Sequence, residues 1–331
     1  MDEAMNAWMA SAARWMAFRA LLVGSRARLL SVLFVTVLAG VAGVTVSSGA
    51  KAQSLSNPIP LQDSTFDYRA LSYDPSASGF VIQANGEGAQ RYLYAGAYVF
   101  SNSVTIYGRA ASLNLTASYA SFPRPASAAA LVTTLNTRGA SGELYLGDYS
   151  VSDSVTVNYS GNDTYTYREL PMPATEVDFL TQVNTQGAQG YAFLGNVGFS
   201  LAGGGFSFSS LFVKNQGAND VFTYETRNSS ATASAFLTQA GGQGLLGFRY
   251  LGDYAFATSR SVYVKNTARQ DRYFYEALNT TSSAEDFLVQ ANAMGARKYL
   301  FYGNMGFGSP TPQFASIYVS FSDILFTAGF E

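Results

Sequence analysis

Five near-copies of one pattern run through this chain. A core residue stands at Phe80, Leu131, Phe179, Phe236 and Phe287. Eight residues after each comes a glycine: Gly88, Gly139, Gly187, Gly244 and Gly295. Eight further on comes another: Gly96, Gly147, Gly195, Gly252 and Gly303. Four beyond that stands an apolar residue: Phe100, Val151, Phe199, Phe256 and Phe307. Unit spacings are 51, 48, 57 and 51 residues, and the long one holds the extra Leu201–Gly205. A period of this size marks a repeat architecture, in which each unit buries its apolar face against its neighbours.

Each column has a local meaning. Glu176–Asn184 is helical, with Val177, Leu180 and Val183 on one face beside Phe179. Thr175-x-x-Asp178 and Ser283-x-x-Asp286 read as helix N-terminal capping boxes. The glycine after each helix suits a C′ position with positive φ. An aromatic-alternating strand follows, as in Tyr92–Tyr94 and Tyr299–Tyr302. The second glycine interrupts that strand, which suggests a bulge. Then come a polar turn, a second strand such as Val104–Tyr107, and the next unit's leading strand. The leading strands are read at Phe66–Tyr68, Leu113–Leu115, Tyr165–Tyr167, Phe222–Tyr224 and Tyr273–Tyr275.

The fold class is α+β: five tandem βαββ repeats of about 50 residues, with antiparallel-dominated sheets and one short helix each. The repeats are placed at 64–112, 113–163, 164–220, 221–270 and 271–323, after a linker at 53–63 and before a tail at 324–331. Short turns imply hairpins both within units and across unit boundaries. An open stack and a closed ring both fit. In the ring, the last strand, Ile317–Phe321, would complete the first unit and remove both sheet edges.

Residues 1–52 have the form of an export signal. Arg14, Arg19, Arg26 and Arg28 precede the uncharged apolar run Leu29–Val46, and Ala50-Lys-Ala52 supplies a small-x-small cleavage site. Cleavage after Ala52 would remove both tryptophans, Trp8 and Trp15, and leave no membrane span. The expected location is the periplasm or exterior of a Gram-negative bacterium. Residues 53–331 keep 3 Lys and 12 Arg against 20 Asp+Glu, a net −5, which argues against nucleic acid as a partner. The chain has no Cys and no His. That excludes disulfides, thiolate nucleophiles, cysteine lipidation and the commonest general base and metal ligand.

Two family resemblances rest on these residues. Asn184-x-x-Gly187-Ala-x-Gly-Tyr191 resembles a small uncharacterised bacterial βαββ domain that carries Gly-Ala-x-Gly-Trp-Glu-Leu after its helix. Read across its boundaries, the five-fold ββαβ order also resembles the pentein propeller. Catalytic penteins use Cys and His, which this chain lacks, so that resemblance implies no catalytic residue. The tail Leu325–Glu331 is similar to the Phe-x-x-Gly-Phe-Glu ending of many exported Gram-negative proteins.

Asp148, Asn196, Asp253 and Asn304 follow the strand glycine, where the first unit has Ala97. In a closed ring they could converge on Ca²⁺ or sugar hydroxyls, or they could instead cap the bulge by bonding nearby backbone. No cofactor is expected. The polar helix columns, Gln83, Gln182, Gln239 and Gln290 with Asn85, Asn136, Asn184 and Asn292, would cap or bond a neighbouring unit. The expected role is a non-catalytic structural or binding module at the cell envelope, with a glycan or an envelope protein as partner. Other readings are an exported carbohydrate-active enzyme working through carboxylates, and a passive matrix or stress protein.

Overall fold

The computed structural model describes residues 64–201, 205–308 and 312–323. The expected export signal, linker and tail lie outside them. Unit 1 comprises β1 (Phe66–Ser72), α1 (Ala77–Ala89), β2 (Leu93–Val99) and β3 (Ser103–Ala110). Unit 2 comprises β4 (Ala117–Pro123), α2 (Ala128–Gly139), β5 (Glu143–Asp148) and β6 (Asp153–Tyr159). Unit 3 has β7 (Tyr165–Pro171), α3 (Glu176–Gly187), β8 (Ala192–Ser200) and β9 (Phe206–Asn215). Unit 4 has β10 (Phe222–Asn228), α4 (Ala233–Leu245), β11 (Arg249–Ala255) and β12 (Ser259–Asn266). Unit 5 has β13 (Asp271–Asn279), α5 (Ala284–Ala296), β14 (Leu300–Phe307) and β15 (Gln313–Asp323).

Each unit forms its own three-stranded sheet, with the last strand in the middle and antiparallel to both neighbours. The first and second strands are therefore parallel, and the helix crosses between them. The expected hairpins across unit boundaries do not form, because the middle strand already has a partner on each side. For the same reason Ile317–Phe321 is not a spare strand: β15 pairs with β13 and β14. The leading strand of unit 2 is Ala117–Pro123, while Leu113–Leu115 lies in the linker before it.

Every helix starts on a Ser or Thr cap. Ser76, Ser127, Thr175, Thr232 and Ser283 each accept from a backbone N–H three residues on, which satisfies one free donor of the first turn. In two units Asp178 and Asp286 also accept from the cap hydroxyl, at 2.7 and 2.9 Å. The buried face of α3 is Phe179, Val183, Gln186 and Gly187. Val177, expected on that face, is 73% exposed.

The helix core residue lies between two sheets. Phe179 meets Phe193 of its own sheet at 5.3 Å and Tyr254 of the next at 5.7 Å. Phe236 meets Tyr250 at 5.0 Å and Phe307 of unit 5 at 5.7 Å. Phe287 of the last helix meets Phe301 at 4.7 Å and Phe100 of unit 1 at 5.6 Å. Sheets and helices therefore alternate around a closed circuit, and α5 packs on β1 as each other helix packs on the leading strand after it. The ring closes through a helix, not through strand pairing. Unit 2 departs from the apolar column: Val151 is 67% exposed, and Tyr149 stacks on Phe80 at 4.6 Å in its place.

Candidate functional site

The two glycine columns have different jobs. The helix glycines have no positive φ, contrary to expectation, and they lie inside or at the end of their helices. A Cβ on Gly88, Gly139, Gly187, Gly244 or Gly295 would sit 1.9–2.3 Å from a carbonyl oxygen of the next leading strand, that of Phe66 for Gly295. Glycine is needed there for close approach. The left-handed turn comes three residues later, at Arg91, Gly142, Gly190, Gly247 and Lys298. The strand glycines do have positive φ, from 133° to 153°, and each marks the expected bulge.

Two polar devices join the units. The Asn of the helix bonds the outer edge of the next leading strand. Asn85 accepts from Tyr119 N–H at 2.6 Å and donates to its carbonyl at 3.1 Å. Asn136 grips Tyr167 and Asn184 grips Tyr224 in the same way. Asn292 accepts from Tyr68 N–H at 2.7 Å. This amide clasp covers a strand edge that would otherwise be open to pairing. In the second device, the leading-strand Tyr reaches back and its hydroxyl accepts from an edge-strand N–H of the preceding unit. The pairs are Tyr119 with Tyr94, Tyr167 with Tyr145, Tyr224 with Phe193, Tyr275 with Tyr250 and Tyr68 with Phe301, all at 2.7–2.9 Å. Burial pushes the pKa of all five of these Tyr hydroxyls up, so they stay protonated and act as fixed polar latches.

The Asp/Asn column forms cross-strand pairs within each sheet. Asp148 faces Ser154, Asn196 faces Ser210, Asp253 faces Ser261 and Asn304 faces Ser316. In each pair the serine hydroxyl donates to the acid or amide oxygen, at 2.7, 3.0, 2.7 and 2.8 Å. Asp148 also accepts from the Tyr145 hydroxyl at 2.7 Å and from Arg124. Arg124 in turn donates to Gly198 O of unit 3 and lies over the Phe199 ring at 4.6 Å. Burial, with the nearby Asp148 carboxylate, raises the pKa of Tyr145, and Asp253 acts likewise on Tyr250. Neither phenol is set up as a base.

The first unit shows what the column does. Ala97 faces Thr105 there, and the buried Thr105 Oγ1 has no partner. Each member of the column is thus spent on its own sheet. Among the described residues, no three Asp or Glu side chains gather as metal ligands.

Other carboxylates are also committed. Glu176 accepts from Thr226 at 2.5 Å and from Arg260 at 2.8 Å, joining unit 3 to unit 4. The Thr226 hydrogen bond lowers its pKa against partial burial, with help from Arg260. Burial raises Asp67, but Arg109 and Tyr92 donate to its oxygens and the net pKa is lowered. Tyr92 itself lies between the Arg69 and Arg109 guanidinium groups, at 3.9 and 4.6 Å from its ring centre. An open groove of 480 Å³ runs along the start of β4, lined by Asn85, Ala89, Thr116–Ser118, Asn158 and Ser160. No member of the Asp/Asn column lines it.

The fold and these contacts define a ring of five βαββ units held by a repeated set of helix-to-strand latches. Residues 163–322, just under half of the chain, match the family model of the PT dipeptide repeat lipoproteins. That stretch covers units 3 to 5. The chain contains one Pro-Thr pair, Pro310-Thr311, and no cysteine. No curated protein matches, and no solved structure matches, so the pentein comparison gains no link from known folds.

Proposed function

We propose that this chain is an exported, non-catalytic ring that serves as a structural or partner-binding module of the bacterial cell envelope. One observation carries the reading. The polar side chains that recur from unit to unit are spent on the scaffold: the Asn clasp and the Tyr latch hold units together, and the Asp/Asn–Ser pair ties two strands of one sheet. A catalytic centre would instead need polar groups left facing a substrate. The match of units 3 to 5 to a lipoprotein family supports an envelope address. No described helix is long and apolar enough to cross a membrane. An acyl-cysteine anchor is not available to a sequence without cysteine, so delivery would depend on residues 1–52, and a glycan or an envelope protein would be bound through the repeated loops after each helix and each strand glycine.

Cell fractionation followed by N-terminal sequencing tests the export step. The expected product begins at Gln53 and is found outside the cytoplasm. A full-length chain retained in the cytoplasm would overturn the reading. The non-catalytic part is tested with a panel of polysaccharides: hydrolysis that is lost in Asp148→Asn or Asp253→Asn would make this an enzyme.

A further inference from the structure

Five copies of one unit serve as references for each other, and four of them place a guanidinium group by the last turns of the helix. In unit 1 Arg69 of the leading strand donates to Glu87 and Gln90, at 3.3 and 3.0 Å, and covers the Tyr92 ring. In unit 3 Arg168, at the same strand position, donates to Gln186 and Gln189, at 2.8 and 2.9 Å, and covers Tyr191. Unit 5 reverses the direction: Arg297 of the helix donates to Glu276 of the strand, at 2.6 and 3.1 Å. Unit 2 has Ala120 on the strand and uses Arg138 of the helix, which bonds Glu143 at 2.6 Å.

Unit 4 keeps the acceptors and lacks the donor. Glu225 holds the strand place of Arg168, since Arg168 faces Phe212 in register as Glu225 faces Tyr263. Its neighbour Tyr224 reaches back to Phe193 of unit 3, so Glu225 points the other way, toward α4 of its own unit. Gln243 holds the helix place of Gln186, seven residues after the core Phe, and Leu246 stands where unit 5 has Arg297. Gln243 is 7% exposed, and its Oε1 has no hydrogen-bond partner. The buried Oε1 of Glu225 accepts no hydrogen bond either. Arg227 is an ion-pair neighbour of that oxygen at 3.0 Å, but it is itself largely exposed and makes no hydrogen bond to it. Arg249 alternates with Tyr250, which meets Phe236 of α4, and so faces away from that helix. Folded chains seldom leave buried acceptors without donors unless the site has a use.

The ring beside these acceptors is also uncovered. Tyr92 and Tyr191 are buried beneath their arginines, whereas Phe248, their counterpart in unit 4, is only half-buried. The rest of the arrangement is intact. Lys214 lies 5.9 Å from the Tyr191 ring centre and donates to Gln189 O. Lys265 lies 5.7 Å from the Phe248 ring centre and donates to Leu246 O. Unit 4 therefore matches unit 3 with the Arg168 guanidinium taken out.

We propose that unit 4 binds a guanidinium group supplied by another molecule. Its N–H donors go to the Glu225 carboxylate and to Gln243 Oε1, and its plane lies on Phe248. A planar cation with several donors and a face that stacks on aromatic rings suits this set. A metal ion would find only one carboxylate and one amide oxygen there, fewer oxygens than calcium takes. This site gives the partner-binding reading a ligand chemistry. It does not depend on export, and the assay below does not test export.

The experiment is an NMR titration of the protein with N-acetyl-arginine amide, with the neutral citrulline counterpart as control. The Gln243 side-chain amide and the Phe248 backbone amide should shift with the arginine compound and not with citrulline. Glu225→Gln and Gln243→Met should each weaken binding by about tenfold or more. Methionine already occupies the second position in unit 5, at Met294, so that fold should persist. Glu225→Arg copies unit 3: it should fill the site from within, abolish binding and raise the melting temperature. Tighter binding of the peptide Gly-Arg-Gly would assign the site to a protein-borne arginine, and equal binding to a free guanidinium compound. No shift with the arginine amide, an equal shift with citrulline, or undiminished binding by Glu225→Arg or Glu225→Gln overturns the proposal.

Discussion

The junction that closes the ring and the junction between units 4 and 5 make an unexpected pair. The first joins chain ends more than two hundred residues apart, with Tyr68 bonded to Asn292 and Phe301. It has the close glycine, the amide clasp and the tyrosine latch. The second joins units that are neighbours in sequence, yet Gly241 occupies the clasp position and only the glycine contact and the latch remain. Its leading strand is also more open: Tyr273 and Tyr275 are half-buried, whereas Tyr165, Tyr167, Phe222 and Tyr224 are buried. Covalent continuity can stand in for a missing clasp, because the linker already holds the two units at high effective concentration. The closing junction has no such help and keeps all three devices.

That contrast is broken most strongly at Gly295. A Cβ there meets Phe66 O at 2.0 Å, and the obstacle is backbone, which cannot rotate away. Gly295→Val should cost about 3 kcal/mol or more in chemical denaturation. Because no linker spans this junction, the amide of Phe301 should then exchange quickly while the other junctions stay protected. Gly86→Ala is the control, since nothing lies within 4 Å of its Cβ. It should stabilise by about 0.5–1 kcal/mol through helix propensity. Equal effects at the two positions would remove close approach as the reason for the glycine column.

Alkaline pH should strain all five junctions together. The latch tyrosines have folded pKa values raised by burial. Their contribution is fully present below the unfolded value of about 10 and is lost as pH rises beyond it. On the acid side Asp67, Asp74 and Glu176 have lowered pKa values. Their contribution holds above about pH 4 and fades as pH falls. With no histidine in the chain, thermal stability should be flat between these limits. A stability transition near pH 6 to 7 would contradict this account.

A single latch comes next in size. Tyr68→Phe leaves the buried Phe301 N–H without its acceptor, which should cost about 1–3 kcal/mol. Tyr275→Phe does the same to Tyr250 N–H, but across a linked junction. The two variants should lose similar stability. Only Tyr68→Phe should speed exchange across the closing contact, and identical exchange maps would mean that the linkers add nothing.

The weak junction can also be repaired. Gly241 has no atom within 4 Å of its Cβ direction, so an asparagine has room there. Gly241→Asn should place an amide against Tyr275 N–H and gain about 1–2 kcal/mol from the bonds and from helix propensity. Slower exchange of the Tyr275 amide would show that the clasp has formed. Asn292→Gly should lose a comparable amount. A repair that leaves the exchange of Tyr275 unchanged would show that the amide does not recreate the clasp.

How much of this could be read from the residues follows from which contacts keep a constant spacing. The repeat, the helix, the bulge glycine and the apolar core all sit at fixed offsets within the helix and the strand after it. The latch tyrosine was equally legible and was missed: Tyr68, Tyr119, Tyr167, Tyr224 and Tyr275 each stand twelve residues before the helix core residue. Such a column signals a polar job, because packing alone would accept phenylalanine. The helix glycine was visible, but its reason was not. Close approach and a left-handed turn both select glycine, and only the position of the neighbouring strand separates them. The left-handed column itself was masked by Arg91 and Lys298.

The serine partners of the Asp/Asn column were hidden for a different reason. Ser154, Ser210, Ser261 and Ser316 follow their bulge glycines by 7, 15, 9 and 13 residues, because the intervening hairpins differ in length. Fixed-offset reading shows half of each pair and suggests a ligand for it. Ala97 allows the smallest and most direct test of that difference. Ala97→Asn should give Thr105 Oγ1 the acceptor it lacks, copying the pair of Asn304 with Ser316. The expected gain is about 0.5–1 kcal/mol, the net worth of one buried hydrogen bond. Asp253→Ala should lose about 1–2 kcal/mol by leaving Ser261 unpaired. If the column were instead held for a ligand, Ala97→Asn would bring no stability and Asp253→Ala would relieve an unpartnered carboxylate. Opposite signs in the two melts are therefore what a structural pair requires.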